Sequence, residues 1–333
     1  MKKINFSFQL LEACINSFIT MTLDTRKFEV LRISILSHCN FACVYCAPKE
    51  KENFSPQLTH SHSLSPDQLD KNLNLLKPHL KIKEVHLTGG EPTLHKNLIE
   101  LIQIVKYHSI QEIALTSNGH FNPDLLEEMV SSGLTRINFS LDSITQSIFE
   151  RLSDRKIPVS HVLNQIKKAK QIGLKVKINT TVLRGLNDHE VLNILTWCGE
   201  EGIPIRFLEF MKMGPLQKEH PSYFYSAEEI RNQIRLKYHF QDYPTPQDST
   251  AQYYITNEGY IFGMIANHTE PFCEGCNRLR MDSKGRIYGC LSDETSFVIP
   301  ESFDEIQSTL HQAMLTKKNK FTGSELSMKY IGG

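Results

Sequence analysis

Short runs rich in β-branched residues alternate with stretches of helical pattern from about residue 30 to residue 210. This alternation predicts parallel strands joined by helices. The predicted strands cover 30–36, 84–88, 112–117, 136–141, 175–182 and 204–210. The predicted helices begin at Ser65-Pro66-Asp67 and then cover about 95–108, 123–132, 145–152, 159–172 and 188–201. Six βα units in succession predict an α/β fold, an open or partial barrel whose reactive site lies at the carboxyl ends of the strands.

The pattern changes after residue 211, where a polar segment with several prolines leads into short strand-like runs and a helix near 302–316. We therefore predict an N-terminal extension (1–28), a barrel (29–212) and a C-terminal region (213–333). The first 21 residues contain two lysines and an apolar stretch, but Glu12 interrupts that stretch and no clean cleavage pattern follows. No apolar run approaches the ~20 residues that span a bilayer. The sequence is thus interpreted as cytoplasmic.

Charge and cysteine content narrow the class of protein further. The 37 basic and 37 acidic residues give a net charge of zero, so no broad attraction to a nucleic acid polymer or a membrane is expected. Eight cysteines in 333 residues are too few for a disulfide scaffold. Their tight spacing predicts metal ligation in a reducing compartment instead.

Six cysteines form two incomplete ligand sets, with spacings C-x3-C-x2-C and C-x2-C-x13-C. They are Cys39, Cys43 and Cys46, directly after the first strand, and Cys273, Cys276 and Cys290. Thiolates suit iron–sulfur clusters and zinc. Three thiolates on a four-iron cluster leave one iron open to a small molecule, whereas zinc would need a fourth ligand near the first triplet, such as His38, His60 or His62. Cys14 and Cys198 fit neither set and are interpreted as buried, inert thiols.

A second motif, Thr88-Gly89-Gly90-Glu91-Pro92, follows the second strand. Paired glycines let a backbone approach a ligand closely. Together with C-x3-C-x2-C after the preceding strand, it resembles the radical S-adenosylmethionine (SAM) superfamily. The resemblance implies a 4Fe-4S cluster on the first triplet, whose open iron binds the amino and carboxyl groups of SAM. It also implies reductive cleavage of SAM to a 5′-deoxyadenosyl radical that takes hydrogen from a substrate.

The resemblance extends to one family, the GTP 3′,8-cyclases of molybdenum cofactor biosynthesis. Matching stretches run from about residue 30 to the end of the chain: LRISILSHCNFACVYCAP, LTGGEPTL, LTSNG, RINFSLDS, GLKVKINTTVLRGLND, IRFLEFM, PFCEGCNRLRMDSKGRIYGCL and IGG. The implied fold is a partial (β/α)6 TIM-like barrel with a C-terminal extension. That extension would carry a second 4Fe-4S cluster, which binds the guanine end of GTP. The implied product is (8S)-3′,8-cyclo-7,8-dihydroguanosine 5′-triphosphate.

The resemblance also implies roles for individual residues. Contacts to SAM are expected from Tyr45, Gly90, Ser140 and Met211. Contacts to GTP are expected from Arg32, His86, Thr116, Lys177, Arg278, Leu279 and Arg280. Catalytic roles are expected for Arg206, Gly332 and Gly333. The residues themselves agree in part: Arg278 and Arg280 alternate on a predicted strand and so point to one face, and guanidinium groups suit phosphate or nucleobase acceptors.

Four positions depart from the family pattern. His86 stands where an arginine is usual and Glu84 where a basic residue is common, while His38 replaces an arginine and Ala47 a methionine. Two lost cations near a triphosphate would weaken binding by roughly 1.5–3 kcal/mol per charge-assisted contact. A protonated His86 beside phosphate could restore part of this.

Partners and alternatives complete the expectations. The resemblance implies a cyclic pyranopterin monophosphate synthase that takes the product and an electron donor such as flavodoxin or ferredoxin, and it leaves a homodimer open. One alternative is a peptide-modifying radical enzyme with auxiliary clusters, although such enzymes commonly carry more C-terminal cysteines. Another is a non-catalytic iron–sulfur or zinc protein, which would have no use for the Gly-Glu-Pro turn or the Gly-Gly tail.

Overall fold

A computed structural model describes residues 26–46, 62–246 and 249–331. Eleven strands of the described chain form one sheet in the order β11-β10-β1-β2-β3-β4-β5-β6-β9-β8-β7. The strands are β1 Val30–Ser34, β2 Glu84–Thr88, β3 Glu112–Ser117, β4 Arg136–Ser140, β5 Lys175–Val182, β6 Ile205–Glu209, β7 Phe240–Tyr243, β8 Gln252–Thr256, β9 Ile261–Ile265, β10 Arg278–Met281 and β11 Ile287–Tyr288. The helices are α1 Pro66–Leu76, α2 Leu98–Tyr107, α3 Leu125–Ser132, α4 Gln146–Ser153, α5 Val159–Gln171, α6 Val191–Glu200, α7 His220–Tyr223, α8 Ala227–Arg235 and α9 Phe303–Leu315.

The first six strands pair in parallel and in chain order, as the sequence predicted. Their helices begin where local chemistry favours a start. The Ser65 side chain accepts a hydrogen bond from the backbone of Gln68, and Pro66 occupies the first turn of α1. The predicted helix 188–201 begins with a 3₁₀ turn, Asp188–Glu190, before α6. Helix α8, which the sequence did not predict, starts with a capping box between Ser226 and Glu229.

The sheet separates an apolar layer from a polar interior. On β5, Val176, Ile178 and Val182 belong to the hydrophobic core, while Lys177 and Asn179 line a cavity on the opposite face. Because side chains alternate along a strand, the eight residues of β5 contribute apolar side chains to the core and polar side chains to the cavity. The chain therefore packs its helices on one side of the sheet and presents charged and polar groups on the other.

The C-terminal region extends the same sheet at both edges. Strand β10 pairs in parallel with β1, with Arg280 opposite Arg32, and β9 pairs in parallel with β6. The sequence predicted an extension capping the open side of the barrel, and it did not predict this continuity. Phe28, assigned to the N-terminal extension, is 4% exposed and packs in the core. No helix in the described ranges is long and apolar enough to cross a bilayer.

Candidate functional site: two cysteine triplets around one cavity

Both cysteine triplets line a single cavity of about 590 Å³ on the polar face of the sheet. Most residues expected at the site line it as well: Arg32, Tyr45, His86, Gly90, Thr116, Ser140, Lys177, Arg206, Met211, Arg278 and Arg280. Leu279 differs, because its side chain is 1% exposed and packs in the hydrophobic core. The Leu279 side chain is therefore not available to GTP, and a contact through its backbone stays a prediction. Gly332 and Gly333 lie outside the described residues.

The first triplet occupies the loop that follows β1. The Cys39 thiol accepts a hydrogen bond from the backbone of Phe41 at 3.4 Å and lies 3.8 Å from the side-chain amide of Asn118. Asn118 also donates to the Asn40 side chain at 2.7 Å. These contacts link the cysteine loop to the loop after β3. The interpretation of Asn118 as a loop-shaping residue agrees with this geometry.

The glycine pair after β2 lets the cysteine loop approach very closely. A Cβ atom at Gly90 would lie 2.0 Å from the carbonyl oxygen of His38, and one at Gly89 would lie 2.3 Å from that of Leu36. Gly89 also has φ = +145°, a conformation that favours glycine. The sequence predicted close approach to a ligand. The structure shows close approach to the loop that holds Cys39, while Gly90 additionally lines the cavity.

Glu91 connects the loops that follow β2 and β3. Its carboxylate is 1% exposed and accepts hydrogen bonds from Thr93, from the Ser117 hydroxyl at 2.8 Å and from the Asn118 backbone at 2.8 Å. Burial raises the pKa of this carboxyl group, although the hydrogen bonds oppose that rise. Glu91 therefore acts as a structural anchor beneath the first triplet.

The thiols of the first triplet are chemically suited to a cluster and not to a free thiolate site. Burial raises the pKa of Cys39 to about 12 and raises those of Cys43 and Cys46 as well. A ligated iron cluster supplies the positive charge that buried thiolates need. Among the described residues, no group of three or more His, Cys, Asp or Glu side chains could hold a single metal ion. His60, one of the residues considered as a zinc ligand, lies outside the described residues.

The second triplet lies in more positive surroundings. Burial would raise the pKa of Cys276, but the charges of Arg278 and Lys317 outweigh burial and lower it to about 6. The Lys317 ammonium donates to the Cys276 sulfur at 3.1 Å, and the backbone of Ser292 donates to Cys290 at 3.4 Å. A thiolate at Cys276 is thus favoured even before a cluster binds. Sequence reasoning missed Lys317, because no motif marks a single lysine after a helix.

Tyr45 and Asp142 form a buried pair beside the first triplet. The Tyr45 hydroxyl donates to Asp142 Oδ2 at 2.6 Å, and the backbone of Thr181 donates to Asp142 Oδ1 at 2.8 Å. Burial raises the pKa of Asp142 to about 6, against the effect of these bonds. Asp142 therefore fixes the position of the Tyr45 hydroxyl.

A hydrogen-bonded network of inward-facing side chains crosses the cavity wall around His86. Arg32 Nη1 lies 3.0 Å from His86 Nδ1, and Thr116 Oγ1 lies 2.7 Å from His86 Nε2. Asn138 Nδ2 lies 3.1 Å from the same Nε2, and Arg206 donates to Asn138 Oδ1 at 3.0 Å. Burial and the charge of Arg32 lower the pKa of His86 to about 3. This lowered pKa favours a neutral His86 in the site, and a protonated His86 beside phosphate stays a prediction.

Glu84 and Arg136 form an ion pair at the same wall. Arg136 contacts Glu84 at 2.6 Å and also pairs with Glu112. Burial would raise the pKa of Glu84, but its contact with His86 and the charge of Arg136 lower it to about 2. Glu84 and Glu112 line the cavity. A carboxylate charge thus lies on the cavity wall.

Several buried cations nevertheless dominate the cavity. Burial lowers the pKa of Arg32 and of Arg206, and it lowers that of Arg280 to about 10. Arg206 Nε and Asn179 Oδ1 are buried and have no hydrogen-bond partner among the described residues. Buried guanidinium groups are stabilised by anions, and unpartnered polar atoms indicate a ligand that is bound in the working protein. The site therefore suits an anionic ligand.

The C-terminal segment reaches into this site. The Ser34 hydroxyl donates to the backbone oxygen of Lys329 at 2.6 Å, and Ser327 donates to the backbone oxygen of Cys46 at 3.2 Å. Ile331 is 1% exposed and packs with Met211. The chain is thus anchored beside the first triplet up to the last described residue.

Comparisons with known proteins agree with this geometry. Residues 33–198 match the family described as the Radical SAM superfamily, and residues 203–322 match Molybdenum Cofactor Synthesis C. A GTP 3′,8-cyclase of Aquifex aeolicus (strain VF5) is 34% identical, over 93% of this chain and 96% of its own length. The chain belongs to the GTP 3′,8-cyclase family. Within that family, the enzyme of Nautilia profundicola is 33% identical over 84% of this chain and 86% of its own length.

A solved structure shows the shared architecture. Streptococcus suis SuiB bound to S-adenosylmethionine has a TM-score of 0.62 at 14% identity and covers 91% of this chain and 71% of its own. At that identity the likeness concerns the fold, a partial (β/α)6 barrel of the radical SAM type. The cofactors of the family are 4Fe-4S clusters and SAM. The two triplets of half-buried thiols fit one cluster each.

Proposed function

We propose that this chain cyclises GTP to (8S)-3′,8-cyclo-7,8-dihydroguanosine 5′-triphosphate, the first step of molybdenum cofactor biosynthesis. The observation that carries the proposal is the shared cavity, which both cysteine triplets line together with Arg32, Arg206 and Arg280. A nucleotide held at the second triplet would lie in the same space as SAM held at the first. Positioning two reactants in one enclosed site is the main contribution that such a protein can make.

The first half of the site would bind SAM. The cluster on Cys39, Cys43 and Cys46, when bound, supplies the electron that cleaves SAM. Tyr45, held by Asp142 at 2.6 Å, would pack near the adenine, as the family resemblance implies. Gly90, Ser140 and Met211 also line the cavity and would contact SAM there.

The second half would bind GTP. The cluster on Cys273, Cys276 and Cys290 would hold the guanine end. Arg278, Arg280, Arg32 and Lys177 would contact the phosphates or the ribose, since charged donors to phosphate make strong hydrogen bonds. Thr116 faces the same space. Arg206 is proposed as a catalytic residue, because it lines the cavity with Nε unpartnered among the described residues.

In the proposed reaction, C3′ of the ribose loses a hydrogen atom to the 5′-deoxyadenosyl group of cleaved SAM, and C3′ bonds to C8 of guanine as the C8=N7 double bond becomes single. One electron from the electron donor and one proton then complete N7–H. The protein would hold C3′ towards SAM and C8 towards C3′, and it would exclude water from the cavity. Gly332 and Gly333 are proposed to complete the site, because the described segment before them is anchored to Ser34 and to Cys46. Their deletion is expected to lower GTP turnover while SAM cleavage persists.

Partners and compartment follow from the proposed reaction. A cyclic pyranopterin monophosphate synthase would take the product, and a flavodoxin or ferredoxin would supply electrons. We place the reaction in the cytoplasm, because the seven cysteines that the structure describes are all free thiols, in keeping with a reducing compartment.

Arginine variants test the division of the cavity into two halves. Arg278→Ala and Arg280→Ala are each expected to lower kcat/KM for GTP by about tenfold or more, since a charge-assisted hydrogen bond contributes roughly 1.5–3 kcal/mol. Reductive cleavage of SAM without GTP should stay near the parent rate. Lys284→Ala is the matched control, because Lys284 is an exposed cation in the turn after β10. Loss of both activities together in the arginine variants would contradict the assignment.

A further inference from the structure

Lys317 lies just beyond α9, and its ammonium group is directed at the second triplet. The Nζ atom donates to the Cys276 sulfur at 3.1 Å and to the backbone oxygen of Arg278 at 3.0 Å. It also lies 5.1 Å from the centre of the Phe28 ring. Two separate segments of the chain, 276–278 and the one that carries Phe28, therefore fix the position of this single cation.

The anionic group beside the Lys317 ammonium is the Cys276 sulfur. Within the described ranges, no carboxylate forms an ion pair with Lys317. Because a buried cation without an anion is costly, the Cys276 sulfur is the group that stabilises it. Lys317 also lines the cavity, so it lies between the protein core and the second triplet.

The first triplet has a different set of neighbours. Its sulfurs contact the Phe41 backbone at 3.4 Å, the Asn118 amide at 3.8 Å and the Ser327 hydroxyl at 3.9 Å. All three are neutral groups, and two are long contacts. A charged donor at 3.1 Å thus distinguishes the second triplet from the first within the described chain. Clusters in these two environments should differ in reduction potential.

We propose that Lys317 is a positioning residue of the second cluster, which holds Cys276 as a ligand and raises the reduction potential of that cluster. Hydrogen bonds to ligand sulfurs and nearby charge are among the factors that set the potential of an iron–sulfur cluster. Reduction adds negative charge to the cluster, and a fixed cation stabilises the reduced form. The inference rests on the proposed function, because it requires a cluster on the second triplet.

The test uses the full chain with Cys39, Cys43 and Cys46 all changed to alanine, so that any remaining cluster belongs to the second triplet. Lys317→Met removes the charge and the hydrogen bond at similar length, and Lys317→Arg keeps both. Lys320→Met is the control, because Lys320 is exposed three residues away. Each chain is reconstituted without oxygen and titrated against potential by EPR, and the loss of iron to a chelator is timed.

The parent chain should hold about four irons, as one 4Fe-4S cluster requires. Lys317→Met should have a more negative reduction potential than the parent and should release iron faster. In Lys317→Arg, both the reduction potential and the rate of iron release should move back towards the parent values. Lys320→Met should match the parent in both. If Lys317→Met binds no iron while Lys317→Arg binds as much as the parent, the role of Lys317 in holding Cys276 as a cluster ligand is supported. A potential and release rate equal to those of Lys320→Met would overturn the inference, as would iron loss in Lys317→Met and Lys317→Arg alike. A parent chain without iron would instead overturn the two-cluster function.

Discussion

His86 orients an arginine and carries no charge of its own. The Arg32 guanidinium carries donors only and lies 3.0 Å from His86 Nδ1, so Nδ1 is placed to accept from it. His86 Nε2 lies within hydrogen-bond distance of Thr116 Oγ1, at 2.7 Å, and of Asn138 Nδ2, at 3.1 Å. The histidine thus fixes the direction of the Arg32 guanidinium towards the cavity. His86 therefore supports Arg32, which is proposed to contact GTP.

Stability should therefore depend on pH through His86. The folded-state pKa of about 3 lies below the ordinary value near 6.5. The unfolded chain binds the extra proton in this window, so the stability that neutral His86 contributes is lost as pH falls from about 6.5 towards 3. We expect the drop in unfolding temperature from about pH 7.5 to about pH 5.5 to be smaller in His86→Gln than in the parent at equal iron content.

The folded-state pKa of Asp142 is raised to about 6, so Asp142 contributes stability that increases as pH falls. Because Asp142 is present in both His86→Gln and the parent, its contribution to the pH dependence cancels in the comparison. An equal pH dependence of the unfolding temperature in His86→Gln and in the parent would contradict a neutral, buried His86.

Glu84 should weaken nucleotide binding. Its pKa of about 2 keeps it ionised at neutral pH, and it lines the cavity with the arginines. Glu84→Gln should lower KM for GTP by about tenfold, because one unit charge at about 8–12 Å contributes roughly 1–2 kcal/mol at an effective dielectric constant near 20. Arg136 keeps Glu112 as its partner in this variant.

The control for Glu84→Gln is Glu127→Gln, which removes an exposed charge on α3, where Glu127 pairs with Lys168. KM for GTP is measured by steady-state kinetics in the parent, in Glu84→Gln and in Glu127→Gln. An unchanged or higher KM for GTP in Glu84→Gln alone would show that Glu84 does not oppose the phosphates.

Some single-residue roles could be predicted from sequence and others could not. Alternation on a strand was enough to place Arg278 and Arg280 on one face, and both line the cavity. The same alternation places Leu279 in the core, although the family motif includes it. Lys317 was unpredictable, because its contact with Cys276 forms only when a segment 41 residues away in sequence folds back.

The turn after β2 works as one element with the cysteine loop. Gly90 donates its backbone hydrogen to Leu36 at 2.7 Å and Glu91 donates to His38 at 2.8 Å, so two backbones run in direct contact. The Thr-Gly-Gly-Glu-Pro motif was found from sequence, and its link to the preceding cysteines was inferred correctly. The partner of the glycines was not predictable, because a paired glycine shows only that something approaches closely.

Gly90→Ala should displace the cysteine loop. The new methyl group would meet the carbonyl oxygen of His38 at 2.0 Å, which backbone atoms can relieve only by moving. We expect loss of the first cluster, seen as about four irons per chain where the parent holds about eight, with loss of SAM cleavage. The EPR signal of the second cluster should persist.

Gly173→Ala is the matched control for this variant. Gly173 has φ = +87° and nothing lies within 4 Å of its would-be Cβ, so alanine strains the backbone and meets no neighbour. It should lower the unfolding temperature without changing the iron content. Full iron content and normal SAM cleavage in Gly90→Ala would show that the close approach does not hold the cluster loop.

The continuity of one sheet brings the two triplets together. Six βα units and their order were predictable, because each strand and helix has a local pattern of its own. The neighbours of β9 and β10 were not predictable, because a strand of four or five residues has too little sequence of its own to select the strand with which it pairs. Pairing of β10 with β1 places Arg280 opposite Arg32, and the shared cavity follows from that register.

The central claim is that both triplets serve one reaction in this cavity. The most direct test is anaerobic incubation of the reconstituted chain with SAM, a reductant and GTP that carries deuterium at C3′. We predict that 5′-deoxyadenosine rises when GTP is added, that it contains the deuterium, and that a cyclised nucleotide forms in step with it. No rise on adding GTP, 5′-deoxyadenosine without deuterium, or no cyclised nucleotide would contradict the account.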